Sequence, residues 1–150
     1  MGKLPGMTRT PQEVALLVKR LQHRHHRELT AALAPLGISL VQWDTLRHLD
    51  RHPEASLHDL ALLTFQTDQS FGSLATRMAD RGLIERVPGP GRAVRHRLTE
   101  RGKELLREGT EIHEKVVTGS FAPLAPDELD RLGDLLSGVL DAWDDPKSEG

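Results

Sequence analysis

Residues 56–99, SLHDLALLTFQTDQSFGSLATRMADRGLIERVPGPGRAVRHRLT, restrict the fold more tightly than any other part of the chain. Ser56 can cap a short helix that turns Leu57, Leu60, Ala61 and Leu63 inward. After the turn Thr64-Phe65-Gln66, the apolar residues Phe71, Leu74, Ala75 and Met78 recur at helical spacing. That spacing predicts a second helix from about residue 67 to residue 81, closed by Gly82. Leu83 to Val87 and Arg92 to Leu98 then read as two short strands around Pro88-Gly89-Pro90-Gly91. The prolines cannot donate to a ladder, so this turn must be exposed. Two helices joined by a tight turn and followed at once by a hairpin suit nucleic acid: the second helix fits a major groove, and the hairpin can follow the backbone or enter the minor groove.

The flanking segments are helical. Thr10-Pro11-Gln12-Glu13 is a helix start in which Thr caps, Pro takes the first helical position and Glu closes a capping box. Val14, Leu17, Val18, Leu21, Leu29, Ala32 and Leu33 continue the stripe until Pro35-Leu36-Gly37. Ser39, with Gln42 as box partner, opens a helix bearing Leu40, Trp43, Leu46 and Leu49. Thr99 can cap a further helix carrying Leu105, Leu106, Ile112, Val116, Val117 and Phe121, and Pro126 starts a last one running through Leu129 to Trp143. The expected fold is mainly α with a small two- or three-stranded β-wing. Residues 1–9 form a flexible N-terminus, 10–38 and 100–143 dimerisation helices, 39–99 a winged helix-turn-helix lobe and 144–150 a flexible tail. The dimer follows from the terminal stripes, which have little core to bury against in one small domain and find it in a second copy.

A net charge of −2 argues against a nucleic-acid partner until its distribution is read. Residues 81–97 hold five arginines and one acid, a net +4, whereas residues 123–150 hold eight acids and two bases, a net −6. Binding responds to the local field, and a basic tip on an acidic body satisfies it. On the second helix Gln69, Ser70, Ser73 and Arg77 occupy the outer face: Gln69 can pair with adenine, the serines with bases or phosphates, Arg77 with guanine or a phosphate. Gly72 within that helix costs about 1 kcal/mol relative to Ala and can allow close approach to DNA. The wing supplies Arg86, Arg92, Arg95 and Arg97; Arg92 at the tip can enter a narrow minor groove, and Arg95 and Arg97 alternate with His96 on one strand face. Two copies related by a two-fold axis would read a pseudo-palindrome with half-sites about 10 bp apart.

Other chemistries find less support. The absence of cysteine excludes disulfides and thiolate metal sites. There is no HExxH, phosphate-cradling Gly loop or nucleophile elbow, so no enzyme is expected and no cofactor. No apolar run is long enough to span a membrane, and the expected location is cytoplasmic. His23, His25 and His26 raise the alternative of a metal-responsive switch, with His113-Glu114 as the nearest further ligands; His25 falls on the inward stripe, and it and Trp43 are the candidate effector-pocket residues. A hydrogen-bonded histidine and a core tryptophan are the simpler readings of those two. A third alternative, a wing used for protein contacts, makes poor use of so many phosphate-seeking arginines.

The order of elements and several strings resemble the MarR family of bacterial transcription regulators. The likeness runs over residues 11–143. It is carried by Leu36-Gly37-Ile38-Ser39 leading to Gln42-Trp43 and Leu46, by Arg81-Gly82-Leu83-Ile84-Glu85-Arg86, by Leu98-Thr99-x-x-Gly102, and by Leu124-Ala125-Pro126-Asp127-Glu128-Leu129. The resemblance implies a winged-helix homodimer joined through its terminal helices, binding operator double-stranded DNA and usually repressing. It also implies release by a small phenolic or lipophilic effector bound between the dimer helices and the DNA-binding lobe. Two departures stand out. The family's wing tip usually reads Asp-x-Arg where this chain has Pro90-Gly91-Arg92, and its recognition helix usually carries Arg where Ser73 stands and Thr where Ser70 and Gly72 stand.

Overall fold

The computed structural model describes residues 8–88, 91 and 94–144. Arg92, the expected wing-tip contact, lies outside the described residues, as do residues 1–7 of the expected flexible N-terminus 1–9 and residues 145–150 of the expected tail 144–150. Six α-helices and a two-stranded sheet are described: α1 (Pro11–Leu33), α2 (Leu40–Arg51), α3 (Leu57–Leu63), α4 (Asp68–Asp80), β1 (Ile84–Val87), β2 (Arg95–Leu98), α5 (Glu100–Phe121) and α6 (Pro126–Asp144), with a 3-10 turn over Ala34–Leu36. The chain divides into two compact units, residues 1–116 and 117–150.

The helix starts are set by local chemistry. Thr10, Ser39, Ser56 and Thr67 each sit in extended backbone and accept, through the side-chain oxygen, from the N–H three residues on. That bond satisfies a donor that has no partner within the helix. At Ser39 and Ser56 the box is reciprocal, with Gln42 and Asp59 accepting from the cap N–H at 2.9 Å each. Thr99 does the same for α5, accepting from Gly102 N–H at 3.0 Å. Gly37 and Gly82, at φ +74° and +73°, end the 3-10 turn and α4 in left-handed backbone, where a Cβ is penalised.

The first unit is built on one core. Trp43, Leu46 and Leu49 of α2 pack with Leu60 of α3, Phe71, Leu74 and Met78 of α4, Leu83, Ile84 and Leu98 of the wing root, and Leu33 and Leu105. The inward faces expected of α2 and α4 are the buried ones, although Leu40, Leu57 and Leu63 are only half-buried. Thr64 lies in the turn expected after α3 and is buried; its hydroxyl donates to Leu60 O at 2.7 Å, so no polar group is stranded. Thr45 is accommodated alike, donating to Val41 O. Phe65 in the same turn is almost fully exposed at φ +58°. The second unit comprises the end of α5 and α6. Leu135, Leu136, Val139, Leu140 and Trp143 of α6 are exposed in the single chain, and so are Val14, Leu17, Val18 and Leu21 of α1.

The wing is an antiparallel pair in the register Ile84↔Leu98, Glu85↔Arg97, Arg86↔His96 and Val87↔Arg95. The second strand begins at Arg95, three residues later than expected from sequence. Its root is closed at Thr99: the backbone N–H donates to Leu83 O at 3.1 Å and the hydroxyl to Gly82 O.

Candidate nucleic-acid interface

Three elements could present side chains to a duplex: α3, α4 and the wing. In α4 the buried stripe fixes the opposite face, and Gln69, Ser70, Ser73 and Arg77 are all exposed there. Their environments differ. Ser70 is tied back to the preceding turn, its hydroxyl donating to Gln66 Oε1 at 2.9 Å. No hydrogen bond or ion pair of the Gln69, Ser73 or Arg77 side chains is found among the described residues. A Cβ added at Gly72 would meet nothing within 4 Å, so that edge of the helix is open to close approach. Arg81 donates to Gln42 Oε1 at 3.3 Å and so links the end of α4 to the start of α2. That arginine contributed to the basic count from sequence, yet its geometry is structural.

The wing arginines are distributed over both faces. Alternation places Arg95 and Arg97 on one face, as expected, together with Glu85 and Val87. Sequence counting treated Glu85 only as one negative charge among five positive ones. The register sets it directly opposite Arg97, which donates to Glu85 Oε1 from Nε at 2.6 Å. Arg95 is half-buried, and its Nε and Nη1 have no hydrogen-bond partner among the described residues. Arg86 lies on the other face, across from His96. His96 is 6% exposed, and its pKa is lowered by burial and, less, by the Arg86 charge. Thus Arg86, Arg95 and Arg97 occur in one small sheet but in three different electrostatic settings.

Of the two pocket candidates, Trp43 lies in the core of the first unit, and His25 is related to it only through an electrostatic effect on His113. Trp43, 4% exposed, is a core residue with a polar handle: Nε1 donates to Thr110 Oγ1 at 3.3 Å. His113 stacks on it with ring centroids 4.3 Å apart and planes 17° apart, and the Arg47 guanidinium carbon lies 5.4 Å from its ring centroid. Gly109 permits this approach of α5 to α2, since a Cβ there would lie 2.6 Å from Trp43 Cδ1. Arg47 is bonded to Asp44 at 2.6 Å. Burial first, then the Arg47 charge, lowers the His113 pKa, and the charge of His25 acts in the same direction. The side chains gathered on Trp43 are thus Arg47, one turn further along α2, which sequence reasoning did not name, and His113, which it named only as a possible metal ligand. Trp43 and His113 lie seventy residues apart, so no local spacing points from one to the other. Among the described residues, no group of three or more His, Asp or Glu could hold a metal ion, and no helix is long and apolar enough to cross a membrane.

Comparison with known proteins agrees with this geometry. Residues 36–93 match the MarR family. Over 82 residues the chain is 33% identical to the HTH-type transcriptional repressor Rv2887 of Mycobacterium tuberculosis, covering 53% of this chain and 59% of that repressor. The match thus spans little more than half the length of the curated relatives. A solved structure of an E. coli MarR mutant complexed with operator DNA is similar at a TM-score of 0.77 and 22% identity, covering 85% of this chain and 93% of that one. Rv2887 of Mycobacterium tuberculosis in complex with salicylic acid is similar at a TM-score of 0.71 and 24% identity, covering 88% and 97%. With its helix-turn-helix, two-stranded wing and flanking helices, this chain has the fold of the MarR structures it is similar to, and its residues 36–93 match the model of that family.

Proposed function

We propose that the chain is a homodimeric transcriptional regulator, most simply a repressor, that binds pseudo-palindromic double-stranded DNA. The observation that carries this reading is the α3–α4–wing unit, whose buried faces are consumed by one core while Gln69, Ser73 and Arg77 remain directed outward. The exposed apolar residues of α1, and separately those of α6, support a second copy as the partner, because each helix leaves an apolar stripe uncovered in the single chain. That a MarR of similar fold has been solved in complex with operator DNA supports DNA as the partner. In this reading, Arg92, Arg95 and Arg97 would serve the backbone or minor groove, with Arg86 as a fourth phosphate ligand. Selection from random duplex DNA tests the reading. Recovery of a palindrome with half-sites about 10 bp apart supports it; recovery of no motif, together with salt-independent retention, overturns it.

The salicylic acid complex of Rv2887 favours a second element, release by a small phenolic or lipophilic effector. In this chain the supporting observation is the cluster of Trp43, His113, Arg47 and His25, which couples an aromatic surface to cationic groups. Salicylate that lowers operator affinity in the wild type but not in Arg47→Ala is the expected result. Equal effects on both would remove Arg47 from the site.

A further inference from the structure

α3 and α4 are joined by a contact outside the recognition face. His58, the second residue of α3, and Asp68, the first of α4, meet with Nδ1 2.8 Å from Oδ1. Both side chains are largely exposed, at 64% and 69%. An ion pair this exposed adds little to stability, so the fold does not account for its placement. With Nδ1 committed to the carboxylate, Nε2 is the nitrogen left to act outward, and no partner for it is found among the described residues. In a helix-turn-helix the first helix crosses the DNA backbone while the second enters the groove. A donor on α3 tethered to the start of α4 therefore stands where a phosphate passes.

We propose that His58 is a phosphate-contacting residue of the DNA interface, donating from Nε2, and that Asp68 is the positioning residue that orients it. The inference rests on the DNA-binding reading above. The hydrogen bond to Asp68, then the Asp68 charge, raise the His58 pKa above its ordinary value, and Asp59 adds to this in the same direction. Asp59 is itself held low by the backbone and hydroxyl of Ser56, and it also feels the Arg95 charge from β2. The charged groups around His58 are thus Asp68 of α4, Asp59 of α3 and, through Asp59, Arg95 of the wing. A raised pKa means that the cation is present below it and lost as pH rises through it. The same acid would repel a phosphate if left unpaired; His58 neutralises it.

The test is the salt dependence of binding by the full-length chain to a random-sequence duplex, at about pH 6 and about pH 8. In the wild type, the slope of log affinity against log salt should be steeper at the lower pH by up to about 0.9 for each protomer. His58→Gln should show the shallow slope at both pH values, and His58→Lys, a fixed cation, the steep slope at both. Asp68→Asn should move the transition to lower pH. Any pH dependence arising elsewhere in the protein is common to wild type and His58→Gln, so the difference between them isolates this residue. The same pH-dependent slope in His58→Gln as in wild type overturns the proposal while leaving DNA binding intact. An unaltered transition in Asp68→Asn overturns the positioning role, and a wild type that binds no duplex at any salt overturns the underlying reading as well.

Discussion

Three glycines that look equivalent in sequence should respond to alanine in different ways. A Cβ at Gly102 would sit 2.0 Å from the carbonyl oxygen of Leu83 and 3.1 Å from its carbon. That oxygen already accepts from Thr99 N–H, so α5 can relieve the clash only by drawing away from the wing root. Overpacking of this kind costs about 1–3 kcal/mol, a strained or lost backbone bond about 1 more, and the helix preference for Ala returns about 1. The net is a loss of about 2 kcal/mol, or about 4–8 °C in Tm for a chain of this size. At Gly109 the obstacle is Trp43 Cδ1 at 2.6 Å, a ring held by Thr110 and His113, and a smaller loss of about 1 kcal/mol is expected. At Gly72 nothing lies within 4 Å, so Ala should raise stability by about 1 kcal/mol. Calorimetry at one fixed protein concentration, necessary if the chain dimerises, reads all three. Equal shifts in Gly102→Ala and Gly72→Ala, or a Gly102→Ala protein as stable as wild type, would refute the reasoning.

Three further outcomes follow from the same structure. Glu85→Gln should release Arg97 and steepen the salt slope of DNA binding by up to about 0.9 per protomer; an unchanged slope would mean that the pairing with Glu85 withholds no phosphate contact from Arg97. His48, His96 and His113 all have pKa values lowered chiefly by burial, so the unfolded chain binds protons that the folded one refuses. Stability should therefore fall as pH drops below about 6.5 toward the folded values, and His96→Gln should flatten part of that loss in urea titrations. Finally, Leu17→Glu combined with Val18→Glu places charge in the exposed stripe of α1 and should give a monomer in sedimentation at micromolar concentration, whereas a persistent dimer would move the interface elsewhere.

What was legible in the chain was legible because it is local. Ser39 with Gln42, and Ser56 with Asp59, are three residues apart, and the bond that fixes each helix start is made within that span. Helical spacing likewise named the buried faces of α2 and α4. The site was less readable, because its properties depend on register and packing. Arg95 and Arg97 were recognisable as neighbours on one face, but only the pairing of Glu85 with Arg97 shows that one of them is already engaged. That Thr64 is a turn residue could be read from the sequence, but not that it is buried, because its hydroxyl is satisfied by the carbonyl of Leu60 in the helix it closes. His113 carried no signal toward Trp43, since their contact joins elements far apart in the chain.

The closure at Thr99 bears on how such a wing can vary. Leu83 and Thr99 are bonded backbone to backbone, and the Thr99 hydroxyl links Gly82 to the first turn of α5, so the hairpin leaves and re-enters the lobe through one fastened point. The penalty for lengthening a loop between fixed ends grows only logarithmically, by about 0.6 kcal/mol for each doubling. Residues beyond the fastening can then be exchanged, shortened or extended at small cost to the helices beneath. The wing is in this sense a replaceable cartridge, and a Pro-Gly-Pro-Gly sequence between its strands is the kind of insert such a mounting tolerates. Under the proposed DNA-binding role, grafting foreign wing tips onto this lobe should alter the wing's DNA contacts while leaving the exposed face of α4 untouched.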